Sequence, residues 1–382
     1  MHAASSSPVL ETLRSSEALE AVGDDWDGLV RAMPRPSPFL LHGWLSEWWR
    51  HYGAGARLTL VTARRHGRLV GAAPIMVRRR GAARVARFLG GHESALADLL
   101  LAEGEDASTG QAIIEQLREE PFDYVDLFGL PAGSAFARAG GERLPLVERV
   151  AAPVLLMPDG FEAAYDARTT SKKRNLHRRR LRQLGELGRV EFTVGRTRAE
   201  LEPLLEQAFA LHDLRRRGRP DGSTFGTPRG KDFHRAAVRR LGDDGVLRLT
   251  LLRIDDRPVA FDYVFVVDDV LYLHGLGFDP ALARFSPGLA TTLETLRGAS
   301  AEGITRVEFL GGNERYKLEL SDRLEPLFQG IGLAGNPYGS LAAHERLGLI
   351  RLRTRLKNSP RLRRLYLMSF GALRPSRLLP SR

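Results

Sequence analysis

The 382-residue chain contains no cysteine. That absence removes disulfides, thiolate metal ligands and thiol nucleophiles together, and it suits a reducing compartment. No run of residues reaches the roughly 18 apolar positions of a membrane span, and the opening "MHAASSSPVLETLRSSEALE" has no basic start followed by an apolar core. A cytoplasmic location is expected, and no metal site. Acids are scarce in one place only. Residues 341–382 hold eleven Arg and Lys against the single acid Glu345, so the net charge of +11 belongs almost entirely to this tail. A body that is close to neutral argues against nucleic acid as its general partner.

In that tail, "ERLGLIRLRTRLKNSPRLRRLYLMSF" interleaves leucines with arginines. It reads either as a helix packed on the protein with a solvated basic face, or as a basic amphipathic helix in peripheral contact with an anionic membrane. Elsewhere, 43% hydrophobic residues in a chain of this length suffice for two ordinary domains, each with its own core.

The chain carries one unit twice. Residues 57–77, "RLTLVTARRHGRLVGAAPIMV", align without a gap on 246–266, "VLRLTLLRIDDRPVAFDYVFV". Both read as two strands around a tight turn, His66-Gly67 in one and Asp255-Asp256 in the other. "YVDLFGLP" at 124–131 is similar to "RVEFLGGN" at 306–313, and "VVDDVLYLHGLGF" adds a third strand after Asp268-Asp269. Helices are expected over about 171–187 and 199–216, and another in "ARFSPGLATTLETL", 283–296. Strands, a helix crossover and a further strand make an α/β (α+β) arrangement of mixed antiparallel and parallel sheets flanked by helices. Three segments are expected: 1–155, 156–340 and the basic tail 341–382.

Several positions carry candidate chemistry. Ser-Pro-Gly in front of a helix leaves free amides and partial positive charge at its first turn, a place for an anion or simply a cap. Gly288 would let a phosphate approach, Ala290 would not block it, and Ser286, Leu289 and Arg284 complete the candidate cradle. A two-residue turn at Asp268-Asp269 pairs Tyr263 with His274 on one side of the sheet and Asp262 with Gly275 on the other. His274 and Asp262 are candidate proton acceptors or ordinary core polar groups. In "FLGGNERYKLEL" two glycines end a strand before Glu314, Tyr316 and Lys317, with Lys317 the favoured cation and Glu314 a candidate base. The helix "RTTSKKRNLHRRRLRQL", with Ser171 as its expected N-cap, and Arg215 offer Lys172, Lys173 and Arg174 among the cations for an anionic acceptor, or a solvated face.

The order of "FLLHGWLSEWWRHYG", "TSKKRNLHRRRLRQL", "LHDLRRRG", "GFDPALARFSPG" and "FLGGNERYKLEL" resembles the Gcn5-related N-acetyltransferase (GNAT) superfamily. It is closer to the CelD-like (cellulose biosynthesis protein-like) branch, which is similar to Fem-type aminoacyl transferases and also has tandem GNAT-like units. The resemblance implies acetyl-CoA or another acyl-CoA as co-substrate, its pyrophosphate held at "RFSPGLA", which is one residue longer between Arg284 and Gly288 than the family pattern. It implies an N- or O-acyltransferase acting on a sugar or cell-envelope precursor. The alternatives are a Fem-type transferase using aminoacyl-tRNA, the one nucleic acid considered, and a non-catalytic binding module. The first copy has no Ser-Pro-Gly helix start and no counterpart of "ERYK", so it is expected to be degenerate, with Gly90 and Gly91 in a turn.

Overall fold

The structure is a computed structural model that describes residues 7–105, 107–216, 224–312 and 314–358. In chain order the first half runs β1 (Val9–Leu13), α1 (Ser16–Ala21), α2 (Gly23–Arg31), α3 (His42–Tyr52), β2 (Ala56–Arg65), β3 (Arg68–Arg80), β4 (Ala83–Phe88), β5 (Leu100–Leu101), α4 (Ala107–Arg118), β6 (Tyr124–Pro131), α5 (Ala135–Gly140) and β7 (Leu146–Leu156). The second half runs α6 (Phe161–Arg168), α7 (Ser171–Gly185), β8 (Val190–Gly195), α8 (Arg198–Arg216), α9 (Pro228–Leu241), β9 (Leu247–Ile254), β10 (Arg257–Val267), β11 (Val270–Phe278), α10 (Pro287–Ala301), β12 (Arg306–Glu308), α11 (Arg315–Leu320), β13 (Arg323–Gly332) and α12 (Pro337–Asn358).

Among the described residues two compact units result, one of those up to 150 with those from 326 to 358, and one of those from 151 to 325. In the first, β2, β3 and β4 form an antiparallel meander, α4 crosses over, and β6 pairs with β4 in parallel. In the second, β9, β10 and β11 repeat the meander, α10 crosses over, and β12 pairs with β11 in parallel. The duplication read in the sequence is therefore a duplication of topology, an α+β fold with mixed sheets in both units. The hairpin turns agree as well: His66, Gly67, Asp255 and Asp256 all have positive φ, which suits the twist of a two-residue hairpin.

The expected boundaries at 155/156 and 340/341 shift because each unit takes its last strand from the other half of the sequence. Leu327–Gly332 of β13 pairs with β6, and Val154–Leu156 of β7 pairs with β12. Helix α12 follows β13 into the first unit, where Ala343, Leu347 and Ile350 pack on Val85, Tyr124 and Ile331. Of the expected separate tail, 341–358 thus belongs to a core, and 359–382 lies outside the described residues. Among the described residues no helix is long and apolar enough to cross a membrane.

The first unit's core holds the fully buried Trp26, Trp44 and Trp48 of the α2 and α3 segments. Gly90 and Gly91 lie against Ser94 and Trp48, as a tight turn between packed side chains. In the second unit β10 is buried on both faces, because α10 covers one and α8 and α9 the other. A continuous run of apolar residues follows from that double burial. Asp262 interrupts it.

Candidate active site

The segment "ARFSPGLATTLETL" folds as a 3-10 turn over Pro280–Phe285 followed by α10. Pro287 is the first helical residue, where its missing N–H costs nothing. The residue before it departs from the expected cap. Ser286 is left-handed, φ 55 and ψ 52, and its side chain makes no capping bond; its hydroxyl instead accepts from the Arg180 guanidinium at 2.9 Å. A non-glycine residue held in that conformation stores strain, of order 1–3 kcal/mol, which a functional site can justify. Beyond it, the N–H groups of Gly288 and Leu289 lie in the first turn and have no acceptor within the helix.

Ser286, Leu289, Ala290 and Leu293 form one wall of a groove of about 480 Å³. Helix α7 forms the opposite wall with Arg174, His177, Arg178 and Leu181, spaced i, i+3, i+4 and i+7 as one helix face requires. Its N-cap is Thr170, whose side chain accepts from the Lys173 N–H, one residue before the expected Ser171. Several charges here are paired: Arg174 with Asp166 at 3.0 Å, and Arg297 with Glu162 at 2.8 Å and Glu294 at 2.7 Å. Arg178 and Arg180 also line the groove and meet no carboxylate among the described residues. His177 shares a 2.7 Å hydrogen bond with the Tyr165 hydroxyl, and burial beside Arg180 lowers its pKa, so it stays neutral. Two uncompensated guanidiniums beside free helix amides form an anion-binding corner.

Strands β11 and β12 pair only from Val270 and Arg306 to Tyr272 and Glu308. From Leu273 to Phe278, β11 continues without β12 beside it, and Gly288 in the first turn of α10 lies against Leu276 and Phe278 of that stretch. On the helix side of the sheet, under α10, sits Asp262, fully buried. Thr292 donates to its Oδ1 at 3.3 Å, and Oδ2 has no partner among the described residues. Burial raises the Asp262 carboxyl to about 7, against the opposing pull of Thr292, Thr295 and Lys317. Tyr316 packs on the same core cluster as Leu276, Leu289 and Leu293, and its buried hydroxyl is unpartnered among the described residues. Burial, with Asp262 and Glu314 nearby, pushes its pKa up, so the phenol keeps its proton.

Lys317 is buried, and its ammonium donates to the Phe309 carbonyl at 3.1 Å and the Gly311 carbonyl at 3.0 Å, with Glu314 at 3.4 Å. Burial lowers its pKa while Glu314 and Asp262 support the charge. Gly312, at φ 128, leaves room for this pair, since a Cβ there would meet Glu314 at 2.1 Å and Lys317 at 3.1 Å. Lys317 therefore ties down the loop after β12, and Asp262, Glu314, Tyr316 and Lys317 form one electrostatic cluster.

Other expected positions fall differently. The β10–β11 register holds from Val267/Val270 to Val264/Leu273 and then slips, pairing Tyr263 with Gly275 and Asp262 with Leu276. His274 is the extra residue of that bulge. It packs among the rings of Tyr263, Phe265 and His234 on the face opposite Asp262. Gly288 gives room to the sheet and not to the groove: a Cβ there would lie 3.1 Å from the Phe278 ring. Arg284 is exposed, stacks over Phe285 at 4.6 Å and does not line the groove. Lys173 is paired with Glu319 at 3.1 Å, and Lys172 is exposed. Arg215 donates to the Leu276 carbonyl at 3.0 Å, stacks on Phe278 at 4.7 Å and borders a separate hollow of about 610 Å³.

Residues 171–318, which contain the groove wall α7, Asp262, α10 and Lys317, match the family described as Acetyltransferase (GNAT) domain. This segment carries a GNAT-fold acetyltransferase domain. No curated protein sequence matches the chain. Solved structures with the same fold include FemX, with a TM-score of 0.58 and 10% identity over 84% of this chain and 96% of that one. A conserved protein of unknown function from Bacteroides thetaiotaomicron matches with a TM-score of 0.56 and 11% identity over 84% of this chain and all of that one. L-PGS from Bacillus licheniformis matches at 0.53 and 10%, covering 87% of this chain and 96% of that one.

Sequence reasoning missed Arg178 and Arg180 as individuals, although both lie in the basic helix it singled out. The signal for Arg178 was the i, i+3, i+4, i+7 face that starts at Arg174; Arg180, six residues on, lies outside that series. Thr292 and Thr295 were missed because threonines in a helix ordinarily spend their hydroxyls on the preceding turn, as Thr292 also does with the Gly288 carbonyl at 3.1 Å.

Proposed function

We propose that the GNAT domain transfers an acyl group from an acyl-CoA to an amino or hydroxyl group of a sugar or cell-envelope precursor, by direct attack and without a covalent enzyme intermediate. The observation that carries this reading is the anion-binding corner at the start of α10, against the stretch of β11 that has no β12 beside it. Arg178, Arg180 and the amides of Gly288 and Leu289 suit the donor's pyrophosphate. The free edge of β11 offers backbone groups to an extended, amide-bearing arm.

The cluster beyond it divides the proton work. Tyr316, held neutral, can offer its O–H as a hydrogen bond to the departing thiolate, which leaves with the proton released by the attacking group. Asp262, near neutrality in its pKa, can take up a proton within the cluster. Glu314, half exposed, is the carboxylate an acceptor can reach. Lys317 keeps the Phe309–Gly311 carbonyls and the α11 start in place for these groups. Lys172, exposed at the N-terminal end of α7, is the cation there that an anionic acceptor can reach, since Lys173 and Arg174 are paired with Glu319 and Asp166, and Arg215 steadies the free half of β11.

One observation favours a second reading. Lys172 and Arg179 of α7 are exposed and meet no carboxylate among the described residues, a row of cations suited to a transfer-RNA backbone in a Fem-type reaction. Radiolabelled acetyl-CoA retained by the protein supports the first reading; retention of aminoacyl-tRNA with no retention of acetyl-CoA supports the second. Full turnover by both Lys317→Ala and Asp262→Asn would leave a binding module.

A further inference from the structure

Helix α12 has two apolar faces, and only one is covered. Ala343, Leu347 and Ile350, spaced by four and three residues, point into the first unit's core. Tyr338, Leu341, Leu349 and Leu352 lie within about 80° of one another on the other side of a helix with 3.6 residues per turn, and they are 50%, 70%, 40% and 52% exposed. Among the described residues Ile350 is the last member of that buried cluster on α12. From there Arg351, Leu352, Arg353 and Arg355 are all exposed, and Arg351 and Arg355 pair with no carboxylate among the described residues. Glu345 is the lone acid on the outward face.

We propose that this outward face of α12 docks the protein on the surface of an anionic lipid bilayer, lying in the interface with its leucines buried and its arginines among the headgroups. Apolar residues flanked by cations match a surface that is apolar just below a layer of negative charge. Three other occupants fit less well. A nucleic acid offers nothing to the leucines, since its outer surface is phosphate. A second copy of the chain would bring Arg351 and Arg355 against their own counterparts. Residues 359–382 hold six arginines and no acid, so they carry the same sign as the face they would cover.

Flotation of the full-length protein with vesicles tests this. Vesicles of phosphatidylcholine with added phosphatidylglycerol should carry the protein, and vesicles of phosphatidylcholine alone should not. The double variant Leu349→Glu, Leu352→Glu should lose anionic-vesicle binding by more than about tenfold, with an unchanged melting curve because both side chains are exposed. The charge reversal Arg351→Glu, Arg355→Glu should lose as much. Binding unaltered in the leucine variant would overturn the proposal, because the tail beyond 358 would then be the binder. So would equal binding to uncharged vesicles, or displacement of the protein by RNA at equal effect in the wild type and the leucine variant. A wild-type dimer that the leucine variant dissociates, with vesicle binding unchanged, would assign the face to self-association and also overturn it.

Discussion

Asp262 lies fully buried in an apolar strand, beneath Thr292 and in the field of Tyr316 and Lys317. Its raised pKa makes it a determinant of stability against pH. The native carboxyl holds its proton up to about pH 7, whereas the unfolded one releases it near 4. Between those values the native state binds more protons than the unfolded state, so this group's contribution is fully present below pH 4 and falls as pH rises toward 7. Asp262→Asn should flatten the decline of stability between pH 5 and 7 by up to about 1.4 kcal/mol per pH unit. Denaturant melts at several pH values measure it, and parallel curves for the two proteins would show that the carboxyl is ionised in the fold. Lys317→Met should cost more, about 1–3 kcal/mol, because the Phe309 and Gly311 carbonyls lose their donor. A variant as stable as the parent would remove Lys317 from the loop's architecture.

At the scale of elements, hairpins were legible because a two-residue turn and alternating side chains fix their register locally, and the β9–β10 and β2–β3 turns fall on the expected residues. The β10–β11 register was legible only to Val264. A bulge costs little in backbone energy and leaves no mark in residue type, so the shift that releases His274 could not be read. Gly288 was legible as a residue that needs space and was misread in direction. Its missing Cβ makes room for Phe278, so Gly288→Val should strain the α10–β11 contact and lower stability by about 1–3 kcal/mol. Melting curves check this, and an unchanged midpoint would mean that α10 stands further from β11 than the structure has it. Helix α12 makes the matching case at the chain's end. Removing residues 337–382 should destabilise the first unit by uncovering Tyr124 and Ile331, and a melting midpoint equal to the parent's would show that α12 does not cover them.

At the scale of the whole molecule, the duplication could be seen because its two copies align without a gap across the same two-residue hairpin turn. The exchange of final strands could not, because the pairing of β13 with β6 joins residues some two hundred positions apart and no local pattern encodes it. The second copy holds the helix start at Ser286–Leu289, the arginines without a carboxylate partner among the described residues, and the Asp262–Tyr316–Lys317 cluster. Donor recognition at that helix start is the central claim. Titration calorimetry of coenzyme A into the wild type and into Arg178→Ala, Arg180→Ala, with melting curves of both, tests it, since Arg178 is exposed, Arg180 is half-buried, and neither meets a carboxylate among the described residues. The wild type should bind, and the variant should lose at least about tenfold in affinity, 1.4 kcal/mol. Equal affinities in the two proteins, or no binding by either, would contradict it.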